Sequence, residues 1–383
     1  MDPTDPANLP RTRAVIQSGI AAGLHLGCQL YASIDLKPVA HFAIGQASPG
    51  HPLTTDHLML WLSSGKPITA VAVAQQWQLG RLDLDDPVAR FIPAFAAHGK
   101  DGVTIRHCLT HTAGLRHAAS AASTAPWDQI IAQIANAKLE PGWIPGKQAG
   151  YHVASTWYLL AEIVRRLDPA RRPFDQYARE EIFLPLKMQN SWIGMPPAQY
   201  ETYAAQDLIA PMYNTESQPP TPNPQANAPE ATILPRPASN ARGPIHELGR
   251  FYEMLLNRGG FSSQSQIANR KSQILTAQTV ESLTSRHRTQ LLDQTFKHVI
   301  DWGLGFILNS NPPGEDIVPY GFGPYSSYRT FGHGGAQSSA AFADPEKKLV
   351  AAFAFNGSPG ELKHHTRRRE LLTALYEDLG LTQ

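Results

Sequence analysis

The sequence predicts an α/β (α+β) protein in which one sheet is assembled from both ends of the chain and helices are inserted between. Three observations carry this reading. Strand-like segments occur near the N-terminus, at 28–35 and 39–45, and return near the C-terminus, at 302–308, 338–344 and 349–356. The middle of the chain has helical apolar spacing instead. The chain also has 383 residues, more than one compact unit usually holds. We therefore expect residues 1–80 and 236–383 to form the sheet part, and residues 81–235 a mainly helical insertion with a proline-rich loop.

In chain order, Val15, Ile16, Ile20 and Ala21 fall at helical spacing and predict an amphipathic helix over 11–24. The strands 28–35 and 39–45 should be joined by a turn at 36–38. A short apolar run, 58–62, ends at Ser63-Ser64-Gly65. Ala, Val and Ile then dominate 66–79 up to Gly80, which predicts a buried helix with a marked stop. Pro67 is compatible only if that helix starts near Ser63, because proline fits the first turn. Residues 81–91 read as a polar turn and a short segment. Residues 104–115 read as one short helix capped by Thr104 and released at Gly114. Helices are predicted at 127–137, 155–167 and 174–183. The Pro-, Asn- and Gln-dense stretch 211–244 reads as a long irregular loop. Helix resumes at 245–257, closed by Gly259-Gly260, and a long final helix covers 361–379.

Composition narrows the function classes. Apolar residues make up 42% and charged residues 17%, and 33 basic against 32 acidic side chains give a formal charge of +1. Nothing in that balance points to nucleic acid or an anionic membrane surface. The two cysteines, Cys28 and Cys108, exclude a disulfide framework and lack metal-site spacing, so they read as buried thiols. The N-terminal MDPTDPANLP lacks the basic start and apolar stretch of a signal peptide. No apolar run approaches the roughly 20 residues that cross a bilayer. The expectation is a cytoplasmic enzyme of undetermined oligomeric state, acting on a small molecule.

The chemistry centres on Ser63-Ser64-Gly65-Lys66. Residues three apart on a helix share a face, which puts the Lys66 amine within reach of the Ser63 hydroxyl. A serine needs a neighbour to take its proton before it attacks. A lysine at the start of a buried helix can do so, because burial lowers its pKa. The same helix end supplies backbone N–H groups and a positive dipole for a developing oxyanion. A bare Ser-x-x-Lys is a weak signal, and a helix cap beside a solvated lysine is the bland alternative. Here the pair occurs once in the chain, between an apolar run and an Ala/Val helix.

These residues also carry a family resemblance. WLSSGKPITA resembles the first motif of class C β-lactamases, family VIII esterases and D-alanyl peptidases. RLDLDDPVARFIPAF, TIRHCLTHTAGL, PGWIPGKQAGYHVASTWYLLAEIVRRL, FLPLKMQNSW and FGHGGAQSSAAFADPEKKLVAAFAFNG resemble the later segments of that superfamily, in order, from about Gly27 to the C-terminus. The resemblance implies a β-lactamase/transpeptidase-like fold, an antiparallel sheet flanked by helices with a helical insertion. It implies Ser63 as the acylated nucleophile, Lys66 as its proton partner, and Tyr151 as the second-motif tyrosine acting as base and acid with Lys66. His333-Gly334-Gly335 would stand on the strand beside the serine, where relatives have Lys-Thr-Gly or His-x-Gly. The N–H groups of Ser63 and Ala336 would form the oxyanion hole.

Two departures bear on the substrate. The second motif of the family is Tyr-x-Asn, but this chain has Tyr151-His152-Val153. In relatives that asparagine is thought to contact the amide of lactam or peptide substrates, so its loss favours esters. His152 either replaces part of that contact or has an unrelated role. His333 stands where a lysine often sits, and histidine is less reliably charged at pH 7, which weakens recognition of a substrate carboxylate. Tyr320, Phe322, Tyr325, Tyr328 and Phe331 precede the third motif. We expect them, Tyr328 above all, to line the pocket mouth and select an apolar acyl or alcohol group, with loop packing as the alternative.

The other candidates are weaker. His107 and His111 stand four apart but lack a third metal ligand and an HExxH glutamate. His364-His365 with Arg367–Arg369 read as a solvated basic face. Asp83, Asp85 and Asp86 lack the glycine and glutamate of an EF-hand loop. No Gly-x-Ser-x-Gly elbow, Walker motif or dinucleotide glycine pattern is present. No cofactor or metal is expected. The reading is a serine hydrolase on small esters, EC 3.1.1-like. An acyltransferase is a close variant, and a β-lactamase or D-amino-acid peptidase a second hypothesis. A catalytically silent binding protein is the alternative of another class, which the intact Ser63, Lys66 and Tyr151 argue against.

Overall fold

The computed structural model describes residues 2–260 and 273–383. After helix α1 (Pro10–Ala21), strands β1 (Gly27–Ile34) and β2 (Lys37–Ser48) form a hairpin. Its turn is the two residues Asp35 and Leu36, with φ of 51° and 62°, the left-handed pair a primed hairpin turn requires. Pro38 thus lies inside β2 and not in the turn, and a bulge follows at Ala32/Ser33. Short strands β3 (His51–Pro52) and β4 (Met59–Leu60) lead to a 3₁₀ turn over Leu62–Gly65 and helix α2 (Lys66–Gln78), with Pro67 in its first turn.

Next come α3 (Val88–Phe91), α4 (Ile105–Leu109), α5 (Trp127–Asn136), α6 (Ser155–Leu167) and α7 (Phe174–Ala178), the last running into a π turn at Arg179–Phe183. Thr104 caps α4 as expected. The helix stops at Leu109, short of Gly114, because His111 turns into the left-handed region at φ 59°. Helix α8 (Pro197–Ala205) follows, and the stretch 211–244, expected to be irregular, is punctuated by β5 (Tyr213–Asn214), β6 (Thr221–Pro222), α9 (Pro224–Asn227), α10 (Pro229–Ile233) and β7 (Arg242–Gly243). Two of its prolines, Pro224 and Pro229, open short helices at their first turns, where proline is tolerated. Helices α11 (Ile245–Leu256) and α12 (Ala277–Thr284) follow. The chain ends with β8 (Ile307–Leu308), β9 (Phe331–Gly335), β10 (Ser339–Asp344), β11 (Leu349–Phe355), β12 (Gly357–Ser358) and α13 (Glu361–Asp378).

The large sheet has the order β3-β2-β1-β11-β10-β9-β8 and is antiparallel throughout, so both ends of the chain do build it. Successive side chains of β11 alternate between two cores, as strand geometry demands. Val350, Ala352 and Ala354 pack with α2, α6 and α11, while Leu349, Ala351, Phe353 and Phe355 pack with α1 and α13. Burial on both faces explains its unbroken apolar run. Of the strand expected at 302–308 only Ile307–Leu308 pairs as one; Trp302 makes isolated bridges to Arg288 and Ile307. Cys28 and Cys108 are buried.

The basic cluster on α13 is not a solvated face. His364, Arg367 and Arg368 are buried. Arg367 donates to the carbonyls of Leu24, Gln337 and Gly357, and Arg368 lies 3.2 Å from the buried Asp316 carboxylate. Removing one member of a buried pair strands the other charge. Asp316→Ala should therefore cost about 3 kcal/mol, read as a lower denaturant midpoint, whereas truncating exposed Arg369 should change it little.

Candidate active site

Ser63 sits on the 3₁₀ turn that opens α2, half-buried and directly after Leu62, whose φ of 50° is a strained value for a leucine. The turn is pinned on both sides. Trp61 N–H donates to the Ala241 carbonyl (2.8 Å), and the Trp61 carbonyl accepts from Ser339 Oγ (2.7 Å). Ser64 Oγ lies 3.0 Å from Ser339 Oγ and donates to the His333 carbonyl (3.2 Å). The nucleophile's neighbours are thus tied to β9 and β10. Gly335 permits that approach. A Cβ there would stand 2.3 Å from both the Trp61 carbonyl and Ser339 Oγ.

Lys66 is fully buried, and its Nζ makes two contacts, to Ser63 Oγ at 2.9 Å and to the Ala238 carbonyl at 2.8 Å. Among the described residues no carboxylate pairs with it. Burial alone therefore holds its pKa well below the usual lysine range. Its ammonium position is 5.1 Å from the centre of the Tyr151 ring and 5.7 Å from that of Trp157. α2 can bury this amine because the buried residues that follow it, 67–74, are Pro, Ile, Thr, Ala and Val, with Gln75 and Gln76 buried only at the far end.

Tyr151 lies over the pair. Its ring is flanked by His111 (4.6 Å between centres) and Phe296 (4.9 Å), with His333 at 6.0 Å. Among the described residues the hydroxyl forms no hydrogen bond of normal geometry, and burial raises its pKa, an effect opposed by the nearby Ser63. His333 is buried on β9. Its Nδ1 is 2.8 Å from the Gly334 carbonyl, its Nε2 is unpartnered, and burial, with Lys66 nearby, pushes its pKa down to about 3. It is neutral at pH 7. Ala336 is exposed at the tip of the β9–β10 turn, and among the described residues neither its N–H nor that of Ser63 donates a hydrogen bond. The structure therefore brings Ser63, Lys66, Tyr151, His333 and Gly335 together, with Ala336 beside them.

Two expected contacts fall elsewhere. The His152 ring is wholly buried and its Nε2 accepts from the Leu115 N–H (2.9 Å), so it braces the backbone and offers nothing to a substrate. Tyr328 is 63% exposed, with the Arg286 guanidinium stacked 3.5 Å from its ring centre. It precedes the end of β9 remote from Gly335, separated by roughly 13 Å of strand. Phe322 and Phe331 are core residues, and Tyr325 packs on Tyr376. Tyr320 is the aromatic of this group that reaches the site, its ring filling the space a Cβ on Gly334 would need.

The beta-lactamase family model matches residues 12–375. The chain belongs to the beta-lactamase family. It is 26% identical over 353 residues to the esterase/beta-lactamase LipL of Mycobacterium tuberculosis, an alignment spanning 86% of this chain and 77% of that protein. A penicillin-binding protein homologue from Caulobacter crescentus superposes with a TM-score of 0.77 at 27% identity over 98% of both chains. A family VIII carboxylesterase has the same fold, with a TM-score of 0.79 at 23% identity over 99% of both chains. This beta-lactamase-family chain is thus a serine-hydrolase-type protein with a mixed α/β fold and a large antiparallel sheet.

Sequence reasoning missed two parts of its site. The Ala238 carbonyl acts through the backbone, which no side-chain pattern marks. His111 was considered only as a weak metal ligand or packing residue, yet its Nδ1 accepts the His152 N–H at 2.9 Å and its ring flanks Tyr151.

Gly335→Ala should leave the chain folded but lower kcat/KM about 100-fold, the scale of a roughly 1 Å misplacement; unchanged kinetics would show that the β9 approach is not needed. The buried histidines predict a pH effect. His152 and His333 both drop to about 3 from 6.5. Between those values the unfolded chain binds protons that the folded chain excludes, so stability falls as pH falls through that window. The slope is up to ~1.4 kcal/mol per pH unit for each histidine. Urea midpoints measured from pH 7 to pH 4 should show it, and His152→Gln should flatten it.

Proposed function

We propose that this protein hydrolyses carboxylic esters through a Ser63 acyl-enzyme. The observation that carries the proposal is a buried lysine without a counter-ion among the described residues, 2.9 Å from a half-buried serine hydroxyl. As Ser63 Oγ attacks the ester carbonyl carbon, its proton passes to Lys66. The carbonyl π electrons move to oxygen, and the N–H groups of Ser63 and Ala336, free of partners among the described residues, receive that charge. The C–O bond then breaks, and the leaving alkoxide takes its proton through Tyr151 and Lys66. Water repeats the sequence on the acyl-enzyme, releases the acid and restores Ser63.

Ester substrates are favoured by what flanks Tyr151. Val153, exposed, stands where the family's asparagine contacts an amide, and His152 is turned inward. His333, neutral at pH 7, supplies no cation for a substrate carboxylate. Lactam hydrolysis is the second reading, supported by the name of the LipL relative. The substrate is a small uncharged or weakly anionic ester, and the chemistry above requires no cofactor.

A short-chain p-nitrophenyl ester and a chromogenic cephalosporin assayed side by side should show turnover of the ester at least about 100-fold faster, a difference of roughly 2.7 kcal/mol in barrier. The reverse order would replace esterase by lactamase. A fluorophosphonate should add to Ser63 and to no residue of Ser63→Ala. Lys66→Met should cut the rate of that labelling by about 1,000-fold, the middle of the range a single general base contributes. Labelling should climb with pH through an ionisation below the ordinary lysine range, because only the neutral amine can accept the proton.

A further inference from the structure

We propose that Asp293 is a positioning residue for Tyr151, with Arg288 as its buried counter-ion, and that this pair aims the tyrosine at Ser63 and Lys66. The inference rests on the reading that Tyr151 moves a proton during Ser63 chemistry.

The Asp293 carboxylate is completely buried, and its Oδ1 accepts three backbone N–H groups. Two belong to its own turn, Thr295 at 2.9 Å and Phe296 at 3.1 Å. The third is the N–H of Tyr151, at 3.1 Å, from a segment 142 residues away. The same turn takes the other side of that peptide, as Thr295 Oγ1 donates to the Tyr151 carbonyl at 3.2 Å. It also supplies Phe296, whose ring packs on Tyr151. Both backbone polar groups and one ring face of Tyr151 are therefore held by residues 293–296. Among the described residues the hydroxyl end, close to Ser63, makes no hydrogen bond of normal geometry, so the aim comes from the backbone and the stack.

Arg288 extends the device to the opposite ring face. Its guanidinium lies 3.2 Å from Asp293 and donates to the Ile300 carbonyl and, at 3.1 Å, to the carbonyl of Thr110. Thr110 precedes His111, whose ring covers the other side of Tyr151. One ion pair thus fixes both walls of the slot. A buried ion pair is weak evidence of a gain in stability, since apolar residues of equal volume often serve as well. Its placement on the second-motif tyrosine is a better account of it.

The groups facing Tyr151 are Lys66 from α2, His111 after α4, His333 from β9, Tyr320 from the loop before β9, and Asp293. The negative charge of Asp293 opposes formation of a phenolate, which keeps Tyr151 a proton donor. Removing that charge therefore moves the basic limb of the rate profile to lower pH.

The test compares wild type, Tyr151→Phe, Asp293→Ala, Asp293→Asn and Thr295→Val, using p-nitrophenyl ester kinetics, fluorophosphonate labelling and urea denaturation. Asp293→Ala should lower kcat about 30- to 100-fold with KM little changed. Asp293→Asn keeps the acceptor and should recover most of kcat, with its basic limb displaced to lower pH. Thr295→Val should lose activity a few-fold. Wild-type kcat in Asp293→Ala, or losses that follow only the unfolded fraction with an unmoved pH profile, would overturn the proposal. If Asp293→Ala does not fold, an unmoved basic limb in Asp293→Asn together with full activity in Thr295→Val overturns it equally. Full labelling of Tyr151→Phe would instead remove the mechanism itself, and this inference with it.

Discussion

Burying the Lys66 amine beside Ser63 without a carboxylate is the constraint on which the rest of the site depends. An isolated ammonium in a protein interior is so costly that the group gives up its proton instead. Helix α2 is built to hold it, with small apolar side chains around one polar atom and the Ala238 carbonyl as a second acceptor. The neighbours follow the same rule. His111, His152 and His333 are held neutral by burial, and the nearest buried charges, Arg288 and Asp293, face each other. Backbone dipoles act most strongly on a charge where water is excluded, and the buried side of this site meets that condition.

Backbone approach is the second requirement, and glycine meets it. A Cβ at Gly65 would lie 2.3 Å from that of Ala241, and one at Gly335 would meet the Trp61 carbonyl. These two absences let the 3₁₀ turn, the 236–241 segment and the tip of β9 converge on Ser63. Ser64 and Ser339 then lock the contact with short side-chain bonds. The strain at Leu62 is maintained by these surroundings, which fix the residues on either side of it.

The same features decide what was legible in the sequence. Helix α2, strands β10 and β11 and the Ser63–Lys66 pair could be read because each rests on local periodicity or spacing. Strand β9 could not be read that way, since three of its five residues are glycines and it has no alternation; only the family resemblance placed His333 there. The α13 basic cluster looked solvated because its partners, Asp316 and three distant carbonyls, are invisible along the helix. Tyr328 and Tyr320 are equivalent in composition, and only the fold distinguishes the one stacked on Arg286 from the one packed on Gly334. Asp293 carried no local signal, because its bond to Tyr151 spans 142 residues.

Proton handling and substrate contact separate cleanly along the second motif. Tyr151 is held from behind by the 293–296 turn and from the sides by His111 and Phe296. His152 faces away and ties down Leu115, and its own N–H bonds to His111, so the residue after the tyrosine supports the slot. Val153 is the first side chain past the tyrosine that meets solvent. An amide is a poor substrate when nothing polar receives it, whereas an ester, with no N–H to satisfy and a better leaving group, needs less. Val153 diverges at a position that stands apart from the Ser63–Lys66–Tyr151 contacts.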